Sequence, residues 1–125
     1  MIWTLSQVAL GGAVGAVARY MTGIAVVRMV GHGFPAAIIT VNVIGSFLMG
    51  VFVVAAAHRG LTYLSPLVMT GLLGGFTTFS AFSLETVTLL ERGQTAQAGL
   101  YVGLSVILSV GGLMAGLWVA RGVFA

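Results

Sequence analysis

The chain has 125 residues, 59% of them apolar and 6% charged, with a mean hydropathy of +1.15, values that place it among integral membrane proteins and exclude a soluble domain built around one core. Its pI of 10.2 rests on five arginines against two glutamates, too sparse a charge for a nucleic-acid surface. The lack of cysteine excludes disulfides, thiolate metal sites and thiol redox chemistry.

A hydrocarbon layer needs about 20 apolar residues per helix, so this length allows four spans and little else. Hydropathy places them near residues 4–27, 35–57, 64–90 and 97–120, which makes 1–125 a single four-helix transmembrane domain. The opening "MIWTLSQVAL" has no positive n-region of a signal peptide, so it is expected to stay as part of the first helix. The connections "RMVGHGF", "HRGLTY" and "ERGQTA" are short, and consecutive helices should therefore run antiparallel. Each contains a glycine and an arginine, the residues that helix C-termini favour. Pro35 and Pro66 suit the first turns of the second and third helices. His32 and His58 fall in connections without companions and do not suggest a metal site.

The second span contains Asn42 and Ser46, four apart and so on one face. The third holds "GGFTTFSAFSLE", which is poor filler for a lipid-facing helix. Its two glycines lower helix propensity, and the hydroxyls of Thr77, Thr78, Ser80 and Ser83 can bond freed carbonyls, so the reading predicts a broken helix at Gly74 and Gly75. Phe79 and Phe82 share a face beside that break. In the fourth span Tyr101, Ser105 and Ser109 form another stripe. Small residues also recur at spacing four: Gly11/Gly15, Ser46/Gly50, Gly71/Gly75, Gly99/Gly103 and Gly112/Gly116. Such pairs let helices approach closely in lipid.

A single membrane hydroxyl usually bonds its own i−4 carbonyl, but stripes on two helices point to a lined pathway. Neutral donors such as Asn, Ser, Thr and Tyr can replace the hydration of a small ion. A cation route would call for acidic rings, and Glu85 is the one acid within a span. A strongly hydrated anion fits better, and a phenylalanine edge, the positive part of its quadrupole, can join the donors.

Orientation follows the excess of basic residues on one side. Arg59 and Arg121 fall on one side and Arg28 and Arg92 on the other, leaving no excess, while Arg19 lies nearer the membrane interior. Four spans do not easily enclose a pathway alone, which favours a dimer, and undecided insertion permits an antiparallel one.

"GGAVGAVARY", "TVNVIGSFLMG" and "GLLGGFTTFSAFSLE" resemble, in order and spacing, the signature segments of the Fluc (CrcB) fluoride channels, and the Tyr101–Ser105–Ser109 stripe extends the match into the fourth helix. The resemblance implies a dual-topology antiparallel homodimer in a bacterial inner membrane, with two pores passing fluoride passively and so lowering its cytoplasmic level. It further implies that Asn42 donates to fluoride, that the edges of Phe79 and Phe82 face the ion, and that Thr78, Ser80, Tyr101, Ser105 and Ser109 line its route. Glu85 would lie by a pore end and Arg19 near an aqueous vestibule. The backbone carbonyls of Gly74 and Thr77 from both copies would hold a structural sodium ion.

Two other classes compete. A small dual-topology, proton-coupled multidrug transporter needs a titratable carboxylate, typically in its first helix, and the first 84 residues contain no Asp or Glu. A non-transporting subunit would not need polar stripes or a broken helix. An enzyme is excluded by an inventory from which no nucleophile, base and orienting acid can be assembled.

Overall fold

The computed structural model describes residues 1–124, and these are helical apart from the connections and one interruption. The first helix is Ile2–Val30, the second Ala36–Arg59, the third span Thr62–Glu91 and the fourth helix Thr95–Phe124. All four are long and apolar enough to cross a membrane. Each extends past the hydropathy limits, save that the second starts one residue inside its own, because hydropathy marks the hydrocarbon whereas a helix runs on until its backbone is capped. The stops are Gly31, Gly60 and Gly93, whose φ angles of 81°, 67° and 77° suit glycine. His58 belongs to the last turn of the second helix, not to a connection, and stacks on Phe124, while the Arg59 guanidinium lies 5.3 Å from the same ring.

Two glycine seams organise the bundle. The first helix packs on the leading half of the third span. A Cβ on Gly15 would lie 2.1 Å from the Leu72 carbonyl oxygen, one on Gly11 2.3 Å from that of Leu67, and one on Gly75 2.7 Å from that of Gly12. The second and fourth helices form the other seam, where a Cβ on Gly50 would meet the Leu113 oxygen at 2.3 Å and one on Gly116 the Phe47 oxygen at 2.2 Å. Three of the spacing-four glycine pairs thus lie in backbone contacts, with Gly71 against Gly11 and Gly112 beside Val43. Among the described residues, Gly99 and Gly103 meet nothing within 4 Å, so that pair packs on none of the described helices.

The third span changes winding along its length. After a short turn at Thr62–Leu64, Pro66 opens a segment, Pro66–Leu73, wound with the wider i→i+5 spacing of a π-helix. One further turn, Gly74–Phe76, leads to Thr77 in extended conformation (φ −90°, ψ 159°), and the helix resumes over Ser80–Glu91. The break therefore comes just beyond the two glycines. Gly74 remains helical at φ −63° and ψ −38°, and Gly75 serves the seam with the first helix.

Candidate functional site

An uninterrupted helix would join the amides of Thr78, Phe79 and Ala81 to the carbonyls of Gly74, Gly75 and Thr77. Other elements take those groups instead. Thr78 N–H donates to Asn42 Oδ1 at 2.8 Å, and Asn42 Nδ2 donates to the Thr78 carbonyl at 3.0 Å, so the second helix clamps the break at two points. Ala81 N–H donates to Thr78 Oγ1 at 3.2 Å, which makes Thr78 the cap of the trailing half. Arg19, half-buried on the first helix, donates from Nε to the Gly75 carbonyl at 3.0 Å. The Leu73 carbonyl accepts both the amide of Thr77, at 3.0 Å, and its hydroxyl, at 2.9 Å. Among the described residues, the carbonyls of Gly74, Phe76 and Thr77 receive no hydrogen bond.

The break opens onto a groove of about 370 Å³ between the second, third and fourth spans. Asn42, Ser46, Thr77, Thr78, Ser105 and Ser109 supply its polar lining, and Phe79 and Phe82 its aromatic one. Ser105 Oγ is buried there without a hydrogen-bond partner among the described residues, an unmet donor that suits a ligand. Asn42 spends one of its two N–H groups on Thr78 and keeps the other. Phe79 is 78% exposed, so one wall of the groove is the outer surface of the chain.

From the groove an aromatic stack leads toward the loop between the first and second helices. The rings of Phe79 and Phe82 lie 5.4 Å apart and tilted by 48°, and Phe82 stacks on Tyr101, also at 5.4 Å. Phe34 also meets Tyr101, edge-on at 5.7 Å. Tyr101 is fully buried, and its hydroxyl donates to Glu85 Oε2 at 2.9 Å. Glu85 in turn borders a second cavity, of about 240 Å³, closed by His32, Gly33, Phe34, Thr88 and Arg92.

The sequence-derived residues are thus brought together in two groups: Asn42, Thr78, Phe79, Phe82, Ser105 and Ser109 at the groove, and Tyr101 with Glu85 beyond it. Ser80 stands outside the lining but has its hydroxyl 3.3 Å from that of Thr78. Ser83 follows the ordinary pattern for a membrane hydroxyl, donating to the Phe79 carbonyl at 3.0 Å. Arg19 bonds the backbone of the break. Sequence reasoning missed Gly45, where a Cβ would fall 2.2 Å from the Thr77 methyl, so that this glycine lets the break sit against the second helix. Its position three residues after Asn42, on the same helix face, was the available signal.

Comparison with known proteins gives a consistent result. Residues 6–117 match the family described as CrcB-like protein, Camphor Resistance (CrcB). A protein of Roseobacter denitrificans named "Fluoride-specific ion channel FluC" is 70% identical over 123 residues, covering 97% of this chain and 98% of that one. One of the same name from a Jannaschia species is 79% identical over 103 residues, 78% of this chain and 98% of its own. Another, from Caulobacter vibrioides, is 50% identical over 124 residues, with 97% and 98% covered.

Proposed function

The chain belongs to the CrcB-like family, and from that premise we propose that this multi-pass membrane protein is a fluoride-selective channel that passively lowers cytoplasmic fluoride. The observation that carries this reading is the groove, in which neutral donors and two phenylalanine rings converge around space for a small ion. The spare N–H of Asn42 and the hydroxyls of Ser105 and Ser109 replace hydration, and the edges of Phe79 and Phe82 add a weakly positive surface. Thr78 and Ser80 offer a further hydroxyl pair beside the break. The Tyr101–Glu85 pair stands at one end of the route, and Arg19 contributes positive potential near the break.

The assembled channel is an antiparallel homodimer. In support, the groove lies partly on the surface of one chain, so a second copy supplies its missing wall. Basic residues are balanced between the two sides. The exposed aromatics Trp3, Tyr63 and Trp118 lie at one end of the bundle and Tyr20 toward the other, an imbalance that an inverted copy evens out across the two interfaces.

A sodium ion fits the break. Hard cations take oxygen ligands, and the unpartnered carbonyls of Gly74 and Thr77, doubled in a dimer, supply four dipoles that repel one another unless a cation lies among them. Bound there, sodium would provide charge neutralisation and join the two copies.

Purified protein in liposomes should release fluoride rapidly, as read by a fluoride electrode, and release chloride far more slowly. Comparable loss of both ions, or of neither, would sink the channel assignment. Two or three lysines added to "HRGLTY" should fix that loop in the cytoplasm and abolish flux, and coexpression with an oppositely biased variant should restore it. Full conduction by either biased variant alone excludes the antiparallel dimer.

A further inference from the structure

We infer that Asn42 and the Thr78 hydroxyl are positioning groups for the central cation site, in addition to lining the anion groove, because they divert the two amides that would otherwise occupy its carbonyls. This rests on the reading of Gly74 and Thr77 as sodium ligands.

Away from water, a backbone N–H must find an acceptor, and for Thr78 the default acceptor is the Gly74 carbonyl four residues back. Asn42 Oδ1 takes that N–H at 2.8 Å and leaves the Gly74 oxygen without a donor. The same exchange happens one turn later. Ala81 N–H would close on the Thr77 carbonyl, but Thr78 Oγ1 accepts it at 3.2 Å and the Thr77 oxygen stays free. Between the two, the Gly75 carbonyl is already satisfied by Arg19 and is removed from competition for the cation. The Gly74 and Thr77 oxygens are thus left free because side chains capture the amides that would close on them, a cause that does not extend to the Phe76 oxygen, which is also unpaired among the described residues.

Asn42 consequently has two separable duties. Its Oδ1 accepts from Thr78 and keeps a cation ligand available, while its Nδ2 donates to the Thr78 carbonyl and keeps a second N–H for the groove. Losing the acceptor lets Thr78 N–H return to Gly74, extends the leading helix by a residue and removes one oxygen per chain from the cation site. Losing only the donor leaves that oxygen free and impairs the groove.

Three variants separate these duties. Asn42→Leu keeps the branched shape and removes both functions, Asn42→Asp keeps the acceptor alone, and Thr78→Val removes the acceptor of Ala81 N–H. The test measures thermal stability of the purified full-length dimer across sodium concentrations, with N-methylglucamine as the balancing cation, beside fluoride flux in liposomes. For Asn42→Leu and Thr78→Val, the sodium concentration giving half of the stabilisation should rise about tenfold or more, the equivalent of one hydrogen bond per site. For Asn42→Asp it should stay unchanged or fall, while fluoride flux is lost. A stable Asn42→Leu dimer with wild-type sodium dependence overturns the inference. Should that variant fail to dimerise, Thr78→Val decides by the same criterion, and its carrying a wild-type sodium response likewise overturns it. A wild-type dimer indifferent to sodium removes the cation reading and this inference with it. A wild-type dimer that responds to sodium but passes no fluoride refutes the channel reading alone.

Discussion

The glycine seams and the break beside them are held by opposite means. In the seams, backbones touch because side chains are missing: Gly15 lies on the Leu72 carbonyl and Gly116 on that of Phe47, at separations that a single methyl group would forbid. At the break, side chains from two other helices reach in, Asn42 to both polar groups of Thr78 and Arg19 to the Gly75 carbonyl. The seams depend on shape and have no chemical handle. The break depends on hydrogen bonding, and three of its carbonyls stay unpaired. Rigidity and reactivity are thereby kept within about one turn of each other on the same span, with Gly75 serving the seam and Thr77 the break.

The largest effect should come from breaking a seam. A Cβ on Gly15 would already fall 2.1 Å from a backbone oxygen, so Gly15→Leu should part the first helix from the third span and cost about 3 kcal/mol or more, read as loss of a monodisperse, cooperatively unfolding protein. A Gly15→Leu protein with the wild-type melting temperature would undo the distinction between seam and break. Next come Phe79→Ile and Phe82→Ile, which should keep the fold yet slow fluoride flux about tenfold or more by deleting a ring edge. They should differ in stability: Phe82 stacks between Phe79 and Tyr101 and should cost about 1 kcal/mol, whereas exposed Phe79 should cost almost nothing in one chain. Normal flux through both would return the rings to packing alone.

Tyr101→Phe should follow, at about 1–2 kcal/mol, since it removes the donor to Glu85 Oε2 and little volume. Thermal unfolding reads this loss, and an unchanged melting temperature would mean that water replaces the hydroxyl. Gly99→Ala should be smallest, within about ±0.5 kcal/mol, because none of the described residues lies within 4 Å of the added methyl. A clear loss of stability there would sharpen the comparison by revealing a contact that Gly99 makes outside its own chain.

Much of this arrangement was legible in the sequence. Spans, glycine stops, Pro66 at a helix start and most close-packing pairs follow from local sums of hydropathy, propensity and spacing. The exact place of the interruption did not follow. Gly74 and Gly75 weaken a helix by propensity, but packing on Gly12 keeps Gly75 in the seam, and the chain gives way at Thr77, where outside donors and acceptors are present. Those partners are distant in sequence: 36 residues separate Asn42 from Thr78, and 56 separate Arg19 from Gly75. Such bonds depend on the rotation of one helix against another, which no local pattern encodes. The groove residues could be proposed from their stripes, whereas the role of Asn42 as a clamp required the fold.

The π-wound stretch Pro66–Leu73 has a consequence for chain length. An i→i+5 winding accommodates surplus backbone relative to an α-helix, so the leading half of the third span contains slack at its base. A one-residue deletion at Val68 or Met69 can be absorbed by tightening this stretch to α-winding, with Gly71 and Gly75 still facing the first helix. The same deletion between Gly112 and Gly116 has no such slack to draw on and would rotate every later residue off its seam. Deletions should therefore be survivable in the π-wound stretch and lethal in the fourth helix, and recovery of folded protein from the two deletion variants would show whether this spacer sets the permitted length of the span.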